Sequence, residues 1–331
     1  MEIEIPLVVA GLLVGGLVGL TGMGGGALMT PLLVLGFGVN PLTAVSSDLV
    51  TSFAMKPVGG AVHARRGTVD WRLVGWLCVG SVPAAFSGVL LLRALGGEES
   101  LDEIVKTALG VALLLAAGGM VFKKVLGIRD RVRGTEVVDD GPVRVRVVPT
   151  VLVGVLGGVV VGMTSVGSGS LMIVALIMLY PALSPARLVG TDLVQAVPLV
   201  GAAAVGHAFF GDVDAGVTLS LVLGGVPGAY LGARASSRAP QGLVRRALVV
   251  VLTLTGLTLL GAPGWVTLLA AALLLVLAVW GWTQVRRTVV RRTRVAMEAE
   301  SVEPFPADDP TPAGPDSDPS GADTAAPGAR R

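Results

Sequence analysis

The chain has 331 residues, 53% hydrophobic and only 15% charged, with a formal net charge of +2. A soluble core of this size needs no such apolar share, and so small a positive balance leaves no footprint for nucleic acid, so the composition points to stacked bilayer spans. The single cysteine, Cys78, excludes an internal disulfide and a cysteine metal cluster, and no metal or cofactor is expected.

Taken in chain order, the first half has apolar runs at about 5–20, 27–38, 42–64, 71–95 and 104–122. The second half repeats them at about 148–163, 170–180, 186–210, 213–233 and 247–260, and an unpaired run follows at about 265–285. The run opening at Ile5 lacks a basic leader and leads straight into the repeated core, so it reads as mature structure rather than a signal peptide. From Met1 to Ala64 the charged side chains are Glu2, Glu4, Asp48 and Lys56, and from Val147 to Ala233 they are Arg187, Asp192, Asp212 and Asp214. Burying charge in hydrocarbon is costly, and the scarcity follows from that cost. The expected organisation is a first membrane repeat over 1–126, a basic cytoplasmic linker over 127–147, a second repeat over 148–260, an additional span over 261–286 and a disordered cytoplasmic tail over 287–331.

The duplication itself is read from a fixed offset. His63 and His207 lie 144 positions apart, and the same offset joins Pro41 to Pro185, Asp48 to Asp192, Asp70 to Asp214 and Pro83 to Pro227. A span needs about 20 residues to cross about 30 Å of hydrocarbon, so the first two pieces of each half are individually short. Basic residues collect in cytoplasmic loops, which places Lys123 to Arg146 and Arg286 to Arg294 inside and the acidic loop Glu98 to Glu103 outside. Counting spans between these marks makes the first, split segment of each half re-entrant and gives the halves opposite orientations. The loop after His63 keeps Arg65 and Arg66 where the loop after His207 has Phe209 and Phe210, as an inversion demands. A second topology, with each first piece a full crossing, would make the repeats parallel and leave that charge swap unexplained. The fold expected is therefore an all-α polytopic membrane protein of two inverted-topology repeats, each with a glycine-broken first segment, plus an extra C-terminal transmembrane helix.

The breaks read Gly19-Leu20-Thr21-Gly22-Met23-Gly24-Gly25-Gly26 and Gly162-Met163-Thr164-Ser165-Val166-Gly167-Ser168-Gly169-Ser170. A half-helix starting after each would aim N–H groups and its positive dipole end at the bilayer interior, which suits an anion. The substrate site is thus expected at Thr21, Gly22, Gly24, Gly25, Gly26, Thr164, Ser165, Gly167, Ser168, Gly169 and Ser170; close packing by small residues is the plainer alternative. Helix entries follow at Asn40-Pro41 and Ser184-Pro185, a cap residue before a first-turn proline. Seven residues beyond each proline come Asp48 and Asp192, candidates for carrying a coupling proton or cation, against helix-start charges satisfied by backbone donors or by an interhelical hydrogen bond. Lys56, whose counterpart is Val200, either compensates a transported anion or snorkels to the inner surface. His63 and His207 fall near helix ends and are gating or relay candidates beside a structural reading.

These motifs resemble the TauE/SafE sulfite-exporter family, through the first break with the following Pro31, the Asn40-Pro41 to Asp48 segment and the second-half echo, over about residues 5–285. The resemblance implies a multi-pass permease of the cell membrane that moves sulfite or related sulfur-containing or organic anions outward. Uptake of thiosulfate or another small anion is the sibling possibility. Ser165, Ser168 and Ser170 depart from a plain glycine pattern and add hydroxyl donors suited to an oxyanion. A rival of another class is an intramembrane serine hydrolase pairing Ser168 with His207. The expected partners are a small anion and the lipid bilayer.

Overall fold

Long apolar runs separated by short polar turns fold here into helices, which satisfy every backbone group within the segment as hydrocarbon requires. A computed structural model describes residues 3–21, 25–95, 100–133, 144–235 and 241–274, and every regular element among them is a helix. In order they are α1 (Ile5–Thr21), α2 (Gly26–Gly36), α3 (Pro41–Arg65), α4 (Trp71–Leu95), α5 (Leu101–Arg133), α6 (Val147–Thr164), α7 (Leu171–Leu179), α8 (Pro185–Phe210), α9 (Ala215–Ala235) and α10 (Gln241–Leu259). A further helix, α11, covers Gly264–Leu274. Gly22, Gly24, the second half of the additional span and the tail lie outside the described residues. The basic linker begins as helix, because α5 runs on to Arg133.

Five helices are long and apolar enough to cross a bilayer: Trp71–Leu95, Leu101–Phe122, Val147–Thr164, Ala186–Phe210 and Ala215–Ala235. Their outward faces are apolar: Trp76, Val79 and Leu91 on α4, Leu152 and Leu156 on α6, and Leu223 and Leu231 on α9 are exposed. In water such faces would be a liability; in lipid they are the solvated surface. The molecule is an all-helical, multi-pass membrane protein.

The most extensive interfaces join the two halves rather than neighbours in sequence: α1 packs on α9, and α4 packs on α6. Glycine permits both. A Cβ at Gly15 would stand 2.9 Å from the Gly225 Cα, and one at Gly158 2.9 Å from the Ser81 Cα, so the backbones meet with no side chain between them. Register fixes direction: Gly11 lies on Leu221, Gly15 on Gly225 and Gly19 on Ala229, so α1 and α9 run parallel. Likewise Gly154 lies on Leu77 and Gly162 on Ala85, so α6 runs with α4. By contrast Ser46 meets His207, Phe53 meets Gly201 and Gly60 meets Leu193, so α3 and its counterpart α8 are antiparallel.

In each half the short helix after the break packs against a neighbour of its own half, α2 on α3 and α7 on α6. Thr30 reaches Asp48 while Gly25 lies against Ser52, so α2 runs antiparallel to α3. In the second half the Arg146 N–H donates to Tyr180 Oη at 2.9 Å, which puts the start of α6 and the end of α7 at one side. At 1.5 Å per residue α2 and α7 are only about 16 and 14 Å long, half of what a crossing needs. The chain then re-enters through capped helices. Asn40 Oδ1 accepts the N–H groups of Leu42 and Thr43, and Ser184 Oγ accepts that of Arg187, each with proline in the first turn.

Candidate functional site

Helix α3 is too polar to count among the apolar spans, and the reason is what it carries inward. Thr43, Ser46, Ser47, Asp48, Thr51, Ser52 and Lys56 are all buried. Positions four apart stack on one helix face, so Asp48, Ser52 and Lys56 form a single ladder, with Ser52 Oγ donating to Asp48 Oδ1 at 3.3 Å. Asp48 Oδ2 also accepts Thr30 Oγ1 from α2 at 2.7 Å.

The glycine breaks bring α2 and α7 to this ladder. Ser165 is left-handed, at φ 59°, with its N–H donating to the Val161 carbonyl, and Gly167 and Gly169 follow at φ 125° and 100°. Among the described residues Ser165 alone has positive φ without being glycine, a conformation that costs free energy and is held by its surroundings. Across from it, a Cβ at Gly26 would run into the Ser165 backbone carbonyl. The two breaks, distant in sequence, therefore touch at the centre. Neither helix start is capped by its own N-cap side chain: Gly25 has none and Ser170 makes no such bond. The Leu28 N–H at the start of α2 donates to the Gly25 carbonyl, and the Leu171 and Met172 N–H groups at the start of α7 donate to the Gly167 carbonyl, so what both starts offer an anion is chiefly the positive end of the helix dipole.

Lys56 Nζ closes the arrangement by donating to Ser168 Oγ at 2.5 Å, and both Asp192 and Asp48 lie within electrostatic reach of it. The ammonium stays in the interior rather than snorkelling to a surface. A void of about 10 Å³ beside Ser168 is lined by Val18, Thr21, Ala27, Leu28 and Ser170, room for about one water centre. So tight a centre admits an anion only when the surrounding helices move. A larger cleft of about 480 Å³ opens beside Asn40, Pro41, Asp102 and Lys106, where Asn40 Nδ2 donates to Asp102 Oδ2 at 2.7 Å.

Of the residues expected from sequence, Gly25, Gly26, Ser165, Ser168, Asp48, Asp192 and Lys56 converge here. Thr21 and Ser170 line the small void. Thr164 instead braces the turn, its Oγ1 donating to the Val160 carbonyl and accepting the Val166 N–H, and Gly167 and Gly169 supply the positive φ of that turn. The histidines have other contacts. His207 is fully buried, with Nε2 at 2.7 Å from the Gly162 carbonyl and Nδ1 at 2.8 Å from Ser46 Oγ, tying α8 to α6 and α3. His63 Nδ1 meets Thr68 Oγ1 at 2.9 Å in the turn after α3. With His207 and Ser168 bound elsewhere, the Ser168–His207 dyad does not form.

Sequence reasoning missed Thr30, Ser52 and Gln195. Ser52 was signalled by its position midway between Asp48 and Lys56. Gln195 lies one turn beyond Asp192 and its Nε2 donates to Ser81 Oγ at 2.6 Å, leaving Oε1 buried without a hydrogen-bond partner. For Thr30 only the fold supplies a signal, since α2 must turn back before it faces α3.

The profile of the sulfite exporter TauE/SafE family matches residues 7–259. A probable membrane transporter protein of Bacillus subtilis (strain 168), YjnA, is 36% identical over 258 residues, covering 78% of this chain and 100% of its own. A second from the same strain, YdhB, is 24% identical over 75% of this chain and 96% of its own. A probable membrane transporter protein of Xylella fastidiosa (strain 9a5c) is 27% identical over 69% of this chain and 83% of its own. No solved structure gives a significant match. With the family's profile spanning the repeated core and both breaks, the chain belongs to the sulfite exporter TauE/SafE family and is a multi-pass membrane transporter, not an enzyme.

Proposed function

We propose that this transporter is a permease that exports sulfite or a related sulfur-containing or organic anion across the cell membrane, through a site between its two glycine breaks. The observation that carries the reading is the meeting of those breaks at Gly26 and Ser165 with a buried ammonium, Lys56, on Ser168. An anion there would take its charge partner from Lys56, hydroxyl donors from Thr21, Ser165, Ser168 and Ser170, and the positive dipole ends of α2 and α7. With Asp48, Asp192 and Lys56 ionised, the centre already carries one excess negative charge, and an anion adds to it. At low dielectric that repulsion is large, so a proton or cation at Asp48 or Asp192 accompanies the cycle.

The antiparallel course of α3 and α8 and the turned-back second split segment support two halves inserted in opposite orientations, with re-entrant first segments. Charge bias then puts the basic linker and the C-terminus in the cytoplasm, and the Asn40–Asp102 cleft opens outward. The two halves would move against each other about the midplane, exposing the centre alternately. Uptake of thiosulfate or another small anion uses the same site, and the assay separates the two.

The test is flux of labelled sulfite, sulfate, thiosulfate and a small sulfonate in liposomes holding the purified protein, with and without an imposed gradient. Saturable sulfite flux that requires Lys56 supports the reading. Absence of flux for all four overturns the sulfur-anion reading and moves the substrate to another class, such as organic carboxylates.

A further inference from the structure

The two acids at the centre are equivalent by duplication and unlike in surroundings. Around Asp48 stand Thr30 Oγ1 at 2.7 Å, Ser52 Oγ at 3.3 Å and the hydroxyl of Ser165. Ser165 is almost fully buried, and its Oγ faces Asp48 without closing a hydrogen bond of ordinary geometry. Removing a hydroxyl from water without closing a hydrogen bond is costly, so a group placed this way points to something it binds. Gly25 leaves room beside these groups, since a Cβ there would lie 3.2 Å from Ser52 Oγ and 3.9 Å from Asp48 Oδ1.

Around Asp192 the corresponding positions hold no such donors. Depending on where the single-residue insertion is placed, Thr30 corresponds to Ile173 or Val174; Ser52 corresponds to Ala196 and Ser165 to Gly22. Lys56 lies within electrostatic reach of both acids, and its attraction to Asp192 is the larger. The groups gathered at Asp48 offer oxygen only: two atoms from the carboxylate and one hydroxyl each from Thr30, Ser52 and Ser165. Hard oxygens without His or Cys suit an alkali or alkaline-earth ion over a transition metal. One carboxylate matches a single positive charge, whereas calcium sites gather several carboxylates and carbonyls.

We infer that Asp48, Thr30, Ser52 and Ser165 form a sodium site in the first repeat alone, while Asp192 serves as counter-charge to Lys56. The inference rests on the transporter reading above and deepens it, because bound sodium offsets the negative charge nearest the incoming anion. It also assigns the two acids different tasks.

The test uses the purified full chain with no anion substrate present, so that it does not depend on which anion, if any, is carried. Binding of radioactive sodium is measured at equilibrium, together with the thermal unfolding midpoint in sodium, potassium and choline chloride at one ionic strength and pH. Saturable sodium binding is expected, with a midpoint raised by sodium and not by choline. Thr30→Val and Ser52→Ala are each expected to weaken sodium affinity by about 10- to 100-fold, the range seen when a supporting group is removed from a metal site. Asp48→Asn should abolish binding and Asp192→Asn should retain it. Thr30→Val and Ser52→Ala are small changes, and monodisperse elution checks that both still fold. A midpoint indifferent to sodium in the wild type overturns the inference, including the case where Asp48 carries only a proton. Sodium binding that survives Thr30→Val, Ser52→Ala and Asp48→Asn places the ion elsewhere and overturns it equally. Sodium binding without anion flux would leave the site standing and remove the permease reading.

Discussion

In the first half α3 stacks Asp48, Ser52 and Lys56 on one face; in the second, α8 has Asp192, Ala196 and Val200 at the corresponding positions. Away from this row the halves agree. Small residues at matching places let α1 settle on α9 and α6 on α4, and both helix entries keep a capping residue before proline. The agreement lies where backbones must approach closely, and the divergence lies where side chains face the centre. A duplicated scaffold can be symmetric in packing and asymmetric in chemistry, because helix contacts depend on small residues while charge at the centre depends on a few long polar ones. The histidines repeat the lesson. His207 has Ser46 as a partner, but the residue corresponding to Ser46 is Gly190, and His63 turns to Thr68 instead.

The largest effect tests the symmetric part. Gly15→Leu and Gly158→Leu should each prevent folding, costing about 3 kcal/mol or more through overpacking, whereas Gly75→Leu, with open space around it, should not. Yield of monodisperse protein decides; tolerance of leucine at Gly15 and Gly158 would mean the halves are not held by these contacts. The next tests the asymmetric part. Lys56→Met leaves two buried carboxylates without their cation, a loss of roughly 3–5 kcal/mol that should appear as at least about a hundredfold fall in anion flux. Restored flux in Lys56→Met with Val200→Lys would show that position does not matter and would erase the asymmetry.

Substitution of the histidines should separate them by stability rather than transport. His207→Ala loses two buried hydrogen bonds and opens a cavity, for roughly 2–3 kcal/mol, while His63→Ala should cost about 1 kcal/mol. Thermal midpoints in detergent read this directly, and equal shifts would contradict the structural role given to His207. Ser168→Ala removes one hydrogen bond from Lys56 and should lower flux by about five- to tenfold, equivalent to about 1–1.5 kcal/mol, with no proteolytic product lost because none is made. Smallest of all, deletion after Met297 should leave flux unchanged, since the repeated core carries the site; a clear drop would assign the tail a role in transport.

Much of this molecule could be read along the chain. The breaks, the proline entries, Asp48, Asp192 and Lys56 all announce themselves locally, because glycine runs, cap residues and intramembrane charges are exceptional in an apolar sequence. Gly22 and Gly24 were named with them and lie outside the described residues. Pairings across the chain were harder. Lys56 and Ser168 are 112 residues apart, and nothing in either neighbourhood names the other. Thr30 looks like an ordinary helix residue until α2 folds back on α3. The sequence by itself determined that this is a duplicated, membrane-embedded helical protein with two broken segments, since composition and repeat offset depend on order alone. Only the tertiary structure decided that α1 pairs with α9 and α4 with α6, that the breaks meet, and that the two acids have different neighbours. Those outcomes depend on which helix faces close in space, and a glycine surface fits its partner only once both registers are set.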